Sequence, residues 1–158
     1  MASRQNVHNT RIDDIRKIYS AVVDIVGIMN QPRRDARMIA EAGISLDRAL
    51  FPLLVGIGRF GPIGVVDLAD RVGRDYTTVS RQVAKLESLG LVKREAAQAD
   101  KRVCEAAITA KGREMTRAID QARDRILTAM LADWSPKDIA VLAPLLRRLA
   151  DSALAGES

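Results

Sequence analysis

The sequence has few of the residues that build disulfide frameworks, metal sites and aromatic cores. Its 158 residues include one cysteine, Cys104, and one histidine, His8. A single cysteine cannot form an internal disulfide, which favours a reducing compartment. A single histidine in a polar segment argues against a metal site. Because only 3% of the residues are aromatic, aliphatic side chains must fill the core. We expect no metal and no cofactor, and a buried structural thiol at Cys104 rather than a redox switch.

Long apolar runs are absent as well. No run approaches the roughly 18 residues of a membrane span, and the first residues lack the apolar core of a signal peptide. We therefore predict a cytoplasmic protein with no membrane association. The 25 basic residues exceed the 20 acidic ones and give a formal net charge of +5, which is compatible with a nucleic acid partner. No nucleophile–base pair is visible, so we predict that the protein is not an enzyme.

Apolar spacing predicts a chain that is helical at both ends. One amphipathic helix is predicted from Ile12 to Met29 and a shorter one over residues 33–42. A third should open at Ser45 as N-cap, with Pro52 inside it as a kink. The segment from Ala110 to the C-terminus predicts two helices that meet at Ser135, and Pro144 lies inside the second.

The middle of the chain has the spacing of a helix-turn-helix. A compact helix over residues 65–72 is followed by a turn at Gly73 and a longer helix over residues 76–89. The two helices should pack through one apolar set: Leu68, Ala69, Val72, Val79 and Val83. The opposite face carries Thr77, Thr78, Arg81 and Lys85. Small hydroxyls can enter a major groove without clashing, and an arginine can bind the edge of a guanine with two hydrogen bonds.

A β-hairpin directly follows this motif. Residues 91–94 and 103–109 are predicted as strands, and the polar segment between them carries Asp100, Lys101 and Arg102. A basic tip of this kind can reach an adjacent minor groove, whose negative potential attracts arginine. A helix-turn-helix followed by a basic wing favours duplex DNA as the partner.

An ordered set of motifs resembles the MarR (multiple antibiotic resistance regulator) family. The matching pieces are Gly61-Pro62, Asp67-Leu68-Ala69, Thr77-Thr78-Val79-Ser80-Arg81, Leu86-Glu87, Gly90-Leu91-Val92-Lys93-Arg94, Asp100-Lys101-Arg102, and Ile108-Thr109 with Lys111-Gly112. The matching core spans about residues 45–112, and the flanking helices share only the family's layout.

The resemblance implies a mainly α fold with a small β-wing. Residues 45–112 would form the winged helix-turn-helix DNA-binding domain, and residues 1–44 and 113–158 the helical dimerisation region, integrated into a single domain. A homodimer would bind a pseudo-palindromic operator as a repressor, released by a small aromatic or anionic ligand.

The same resemblance assigns the DNA contacts. Thr77, Thr78, Arg81 and Gln82 would face the major groove, while Arg102 would enter the minor groove, oriented by Asp100. Ser80, Lys85 and Lys101 complete the predicted DNA-binding set.

Two competing interpretations depend on particular residues. The segment Gly56-Ile57-Gly58-Arg59-Phe60-Gly61 matches the glycine pattern of a dinucleotide site. Such a site needs a preceding strand and a βαβ unit, and Pro52 argues against a central strand there. We interpret the segment as a glycine-rich loop between helices. The other alternative is a winged-helix protein-interaction module that does not bind DNA. The basic residues on the expected face argue against it.

Overall fold

The computed structural model describes residues 2–97 and 104–156, with side chains from Thr10 onward. Within these ranges the chain forms seven helices and three short strands: α1 (Ala2–Met29), α2 (Pro32–Glu41), α3 (Phe51–Phe60), β1 (Ile63–Gly64), α4 (Val65–Val72), α5 (Tyr76–Ser88), β2 (Val92–Ala96), β3 (Cys104–Ile108), α6 (Ala110–Met130) and α7 (Pro136–Ala155). The predicted mainly α fold with a small β-wing is confirmed. The chain divides into two compact units, residues 1–122 and 123–158, with the boundary inside α6.

The core of the first unit is aliphatic and lies around α3, α4 and α5. Its fully buried side chains include Leu53, Leu54, Ile57, Leu68, Val79, Val83, Leu86 and Ile119. On α5 the buried positions follow one another at intervals of four and three residues, which places them on one face of the helix. No polar side chain is fully buried in the described part of the chain, so the interior contacts between these helices are apolar.

The start of α3 differs from the prediction. Ser45 caps no helix, residues 45–47 have no regular structure, and α3 begins only at Phe51. Pro52 therefore lies in the first helical turn, where its missing N–H would have had no partner within the helix, and it does not kink α3. Leu46, which lies in this irregular segment, is half-buried. The N-cap signal of Ser45 was outweighed by a proline that fits best at a helix start.

The glycine-rich segment is helix rather than the predicted loop. Gly56 and Gly58 lie inside α3, which continues to Phe60. A Cβ at Gly56 would lie 3.0 Å from Leu68 Cδ1, and one at Gly58 would lie 3.1 Å from Thr116 Cγ2. The two glycines thus allow α4 and α6 to approach α3 closely. No strand precedes them in the described chain, which rules out a dinucleotide-binding turn at this position.

A third strand, which the sequence pattern did not predict, completes the sheet. β1 pairs antiparallel with β3, with Ile63 opposite Ala106, and β2 pairs with the other edge of β3, with Val92 opposite Ile108. The order is β1-β3-β2, and all pairs are antiparallel. A strand of two residues is too short to show alternation, so only the partner strand reveals it.

The thiol of Cys104 is exposed, and the prediction of a buried structural cysteine is wrong. Cys104 is the first residue of β3 and lies opposite Ala96, the last residue of β2. The buried residues of β3 are Ala106 and Ala107, farther along the strand. The cysteine lies at the end of the ladder that is farthest from these residues.

The helices at the two ends of the chain bury almost nothing. α1 begins at Ala2, ten residues before the predicted start, because its first turns lack the apolar spacing on which the prediction depended. No described side chain of α1 and none of α7 is buried. α7 begins as predicted, with the Ser135 side chain accepting a hydrogen bond from the N–H of Asp138, and Pro144 lies inside it. In the described residues, no helix combines the length and apolarity needed to span a membrane.

Candidate nucleic-acid interface

The turn between α4 and α5 fixes how the second helix begins. Gly73 ends α4 with a φ of 63°, a left-handed conformation that glycine adopts without strain. Asp75 is the N-cap of α5, and its Oδ1 accepts a hydrogen bond of 2.8 Å from the N–H of Thr78. This bond, supported by the Thr78 hydroxyl and by the charge of Arg81, holds the pKa of Asp75 below its ordinary value. The predicted helix-turn-helix is therefore present, with a capped second helix.

Three of the six predicted contact residues on α5 form one exposed stripe. Thr77, Arg81 and Lys85 are all exposed and recur every fourth residue, which places them above one another on one helix face. The opposite face holds Val79, Val83 and Leu86, none of which has any exposed surface. The α5 helix thus exposes one hydroxyl and two cationic side chains to solvent, while its opposite face is packed in the core.

The other three predicted residues are half-buried and engaged within the protein. The backbone N–H of Thr78 and its hydroxyl both bind the cap residue Asp75. The backbone carbonyl of Ser80 accepts a hydrogen bond of 3.4 Å from Arg94 Nη2 on β2. Gln82 Oε1 accepts a hydrogen bond of 3.0 Å from Arg74 Nη1. The structure therefore separates the predicted set into an exposed stripe and three half-buried residues. Gln82 binds the turn before α5 through its side chain, Thr78 binds the cap of its own helix, and Ser80 accepts through its backbone carbonyl.

Residues after the wing satisfy the carbonyl groups at the end of α5. The Thr109 hydroxyl donates toward the carbonyls of Gly90 and Leu91, at 2.7 and 3.0 Å, and Lys111 Nζ donates to the carbonyl of Leu89 at 2.9 Å. A Cβ on Gly112 would overlap the carbonyl oxygen of Leu91. The motif at residues 109–112, noted in the sequence only for its resemblance, is thus a junction between the α5 terminus and α6.

The base of the wing is joined to α5 by an ion pair. Arg94 Nε lies 3.5 Å from Glu87 Oε2, and the same guanidinium reaches the carbonyl of Ser80. Both side chains are partly exposed, so the pair adds little stability by itself. Through this ion pair and the bond to Ser80, Arg94 connects β2 to α5. The predicted wing-tip residues Asp100, Lys101 and Arg102 lie outside the described residues.

One open cleft in the first unit is lined by acidic side chains. It has a volume of about 490 Å³ and carries three carboxylates, Asp67, Asp70 and Glu105. The guanidinium carbon of Arg71 lies 4.4 Å from the centre of the Phe60 ring beside them. This carboxylate-rich lining disfavours an anionic ligand. No group of three or more potential metal ligands is present in the part of the chain that the structure describes.

Comparisons with known proteins place these features in a class. The family model HVO_A0114 matches residues 50–106, which include α3, the helix-turn-helix and the base of the wing. The chain is 34% identical over 105 residues to YxaD of Bacillus subtilis, an uncharacterized HTH-type transcriptional regulator, and the match covers 66% of this chain and 73% of YxaD.

Solved structures share the fold over nearly the whole chain. A MarR family protein from Bacillus stearothermophilus superposes with a TM-score of 0.73 at 19% identity, covering 90% of this chain and 96% of the other. A MarR transcriptional regulator from Methanosarcina mazei Go1 superposes with a TM-score of 0.66 at 18% identity, covering 88% and 98%. The architecture is that of a winged helix-turn-helix DNA-binding protein. The chain belongs to the same family of HTH-type transcriptional regulators as YxaD. Its fold is that of the MarR family proteins, and the predicted resemblance to them is confirmed.

Proposed function

We propose that this protein is a homodimeric repressor that binds a pseudo-palindromic operator in duplex DNA and is released by a small ligand. The observation that carries the proposal is the stripe of Thr77, Arg81 and Lys85 on α5, exposed on a helix whose other face is fully buried. A rigid helix with short and cationic side chains on its free face has the shape and charge to enter a major groove.

Each residue of the stripe has a separate role in this proposal. Arg81 lies one turn into α5, from which its guanidinium can bind O6 and N7 of a guanine. Thr77 lies at the front of the helix, where a small hydroxyl allows close approach to a base edge or a phosphate. Lys85 lies one turn beyond Arg81 and is suited to a backbone phosphate. Arg102 and Asp100 remain, from the sequence alone, the proposed minor-groove pair of the wing.

The terminal helices support a dimer. α1 leaves Ile15, Ile18 and Ile25 at least half exposed, and α7 leaves Leu145 and Leu146 nearly half exposed. Each square ångström of apolar surface left in water costs roughly 25 cal/mol, so a second copy of the chain is the partner that we propose for these faces. A two-fold dimer with one recognition helix per subunit would bind inverted half-sites centred about 10 bp apart.

Repression and release by a ligand rest on the family resemblance. We propose a small aromatic ligand or an anion as the effector. The cleft beside Phe60 does not suit an anion because it carries three carboxylates, so an anionic effector would bind elsewhere. Since the target is genomic DNA, we place the protein in the cytoplasm, acting as a regulator rather than as an enzyme.

The proposal can be tested by selecting bound sites from random duplexes, followed by footprinting and by titration with salt. We expect an inverted repeat, a protected region with two-fold symmetry, and an affinity that falls steeply as salt increases. Recovery of a single half-site or of direct repeats would contradict the dimeric reading. If no duplex were retained at any salt concentration, the chain would be a protein-interaction module instead. A small-molecule screen for release of the selected duplex then tests the effector.

A further inference from the structure

Arg74 is a residue of the helix-turn-helix turn to which the sequence assigned no role. It follows Gly73, and its backbone N–H donates to the carbonyl of Ala69 at 3.0 Å, which helps to close α4. Its side chain is not free in solvent, since the residue is half-buried. A charged side chain that is partly buried in a turn needs hydrogen-bonding partners, and the structure shows two.

The guanidinium of Arg74 joins two segments that are distant in sequence. Nη1 donates to the carbonyl oxygen of Ala49, in the connection before α3, at 2.8 Å. The same nitrogen donates to Gln82 Oε1 on α5 at 3.0 Å. The positive charge also acts on Asp35 of α2, where it partly offsets the rise in pKa that burial causes. Arg74 therefore contacts α5 and the connection before α3 at one point, and its charge also acts on α2.

This contact restricts what Gln82 can do. A guanidinium only donates hydrogen bonds, so the amide oxygen of Gln82 must be the atom that faces Arg74. A glutamine that reads adenine uses that oxygen to accept from N6 and its amide nitrogen to donate to N7. In this structure the oxygen already binds Arg74, and the half-buried side chain lies beside the exposed stripe rather than in it.

We propose that Arg74 is a positioning residue for DNA recognition and that Gln82 acts through it instead of reading a base. This inference rests on the proposed function. The Ala49–Arg74–Gln82 bridge sets the rotation of α5 about its own axis, and that rotation determines where Arg81 meets the groove. The bridge thereby contributes to specificity without touching DNA.

A double-mutant cycle with Arg74→Ala, Gln82→Ala and the double variant tests the inference through operator affinity and site selection. We expect each single change to weaken operator binding roughly 5- to 30-fold, the factor that about 1–2 kcal/mol represents, and the double variant to be no weaker than either single one. Additive losses would overturn the inference. So would a Gln82→Ala protein that loses preference at one base position and keeps the others.

Two further variants separate positioning from direct contact with DNA. Gln82→Glu keeps an acceptor for Arg74, so it should select the same operator, whereas a base-reading residue changed to Glu would shift its position toward cytosine. Arg74→Ala should leave the slope of log affinity against log salt unchanged, whereas loss of a phosphate contact lowers that slope by roughly one. Arg48→Ala is the matched control, since it removes a nearby exposed positive charge without breaking the bridge. The inference would be overturned if Gln82→Glu shifted the selected base toward cytosine. It would also be overturned if Arg74→Ala lowered the salt slope and Arg48→Ala did not.

Thermal unfolding of the same variants without DNA keeps the two proposals distinguishable. If the bridge exists, the decreases in melting temperature caused by Arg74→Ala and Gln82→Ala will not add up in the double variant, even in the free protein. Additive melting temperatures overturn the inference whatever the protein binds. If the two changes are coupled in melting temperature but the parent protein binds no DNA duplex, the proposed function is overturned. The role of the bridge in recognition is then overturned with it.

Discussion

The winged segment, from α3 to β3, buries its apolar residues, whereas the terminal helices α1 and α7 leave theirs exposed. Leu53, Leu68 and Leu86 have no exposed surface, whereas Ile15 in α1 and Leu146 in α7 leave 56% and 49% of theirs exposed. Both regions have the same three-to-four spacing of apolar residues in the sequence. The difference shows that such spacing predicts a face that must be covered but does not identify the chain that covers it. The winged segment completes its core within one chain, and we propose that a second copy covers the terminal helices.

The largest expected effect lies in the winged core. Leu86→Ala removes a fully buried side chain of α5 and should lower the free energy of unfolding by about 2–5 kcal/mol. Leu89→Ala, at a position 38% exposed just after the same helix, is the control and should cost much less. Denaturant unfolding at one fixed protein concentration measures both. Equal losses would mean that the core does not depend on this face of α5.

Charging the apolar face of α1 should produce a change of a different kind. In the double variant Ile15→Asp and Ile18→Asp, two carboxylates would have to be buried in the proposed interface, which is strongly unfavourable. Since a buried isoleucine contributes about 1.5–3 kcal/mol, we expect the dimer to dissociate at micromolar concentration while α3, α4 and α5 stay folded.

Sedimentation together with circular dichroism checks this result. Lys17→Ala, at an exposed position on the same helix, should leave the dimer intact. A parent protein that sediments as a folded monomer would break the comparison, because the terminal helices would then need no partner.

Removing the central cation of the stripe should affect binding but not folding. Arg81→Ala should weaken operator binding by about 1–3 kcal/mol and relax the preference at one position in each half-site. Its melting temperature should match that of the parent, because Arg81 is exposed. Arg117→Ala, an exposed arginine on α6, removes the same charge elsewhere and should leave the base preference unchanged. Unaltered binding by Arg81→Ala would show that the DNA face is assigned wrongly.

The smallest effect is expected at the cap of α5 and depends on pH. The pKa of Asp75 is lowered in the folded protein, first of all by the hydrogen bond from the N–H of Thr78. The unfolded chain therefore takes up this proton first, at about pH 3.9. The stabilisation is complete above that pH and is lost as the pH falls through the folded pKa. Asp75→Asn retains an acceptor for Thr78 but should lack this part of the acid dependence, which unfolding experiments between pH 2 and 6 would detect.

The sequence predicted the helix-turn-helix well because several independent signals coincide there. Gly73 marks the turn, and the apolar spacing of residues 65–89 fits two short helices. Both helices lie within one residue of their predicted bounds. The sequence failed where the decisive partner is distant. β1 is visible only through its pairing with β3, and the glycines of α3 are explained only by Leu68 and Thr116.

The candidate site shows the same limit. Helical spacing was sufficient to place Thr77, Arg81 and Lys85 on an exposed face. Gln82 lies one residue beyond Arg81. Its amide oxygen binds Arg74, 8 residues away in the sequence, which in turn binds the carbonyl of Ala49, 33 residues away from Gln82. No local pattern predicts such a contact, so neither the bond between Arg74 and Gln82 nor the role that we propose for Arg74 could be predicted from the sequence.

The division of α5 into a buried and an outward face also bears on how this regulator can evolve. Substitutions at Val79 or Val83 disturb folding and are removed by selection regardless of the DNA sequence bound. Substitutions at positions 77, 81 and 85 meet solvent and leave the core unchanged, so they can accumulate after gene duplication at little cost in stability. On the proposed assignment of these three positions to DNA contact, a duplicated gene can acquire a new operator through changes in three codons while it inherits the fold of its parent intact.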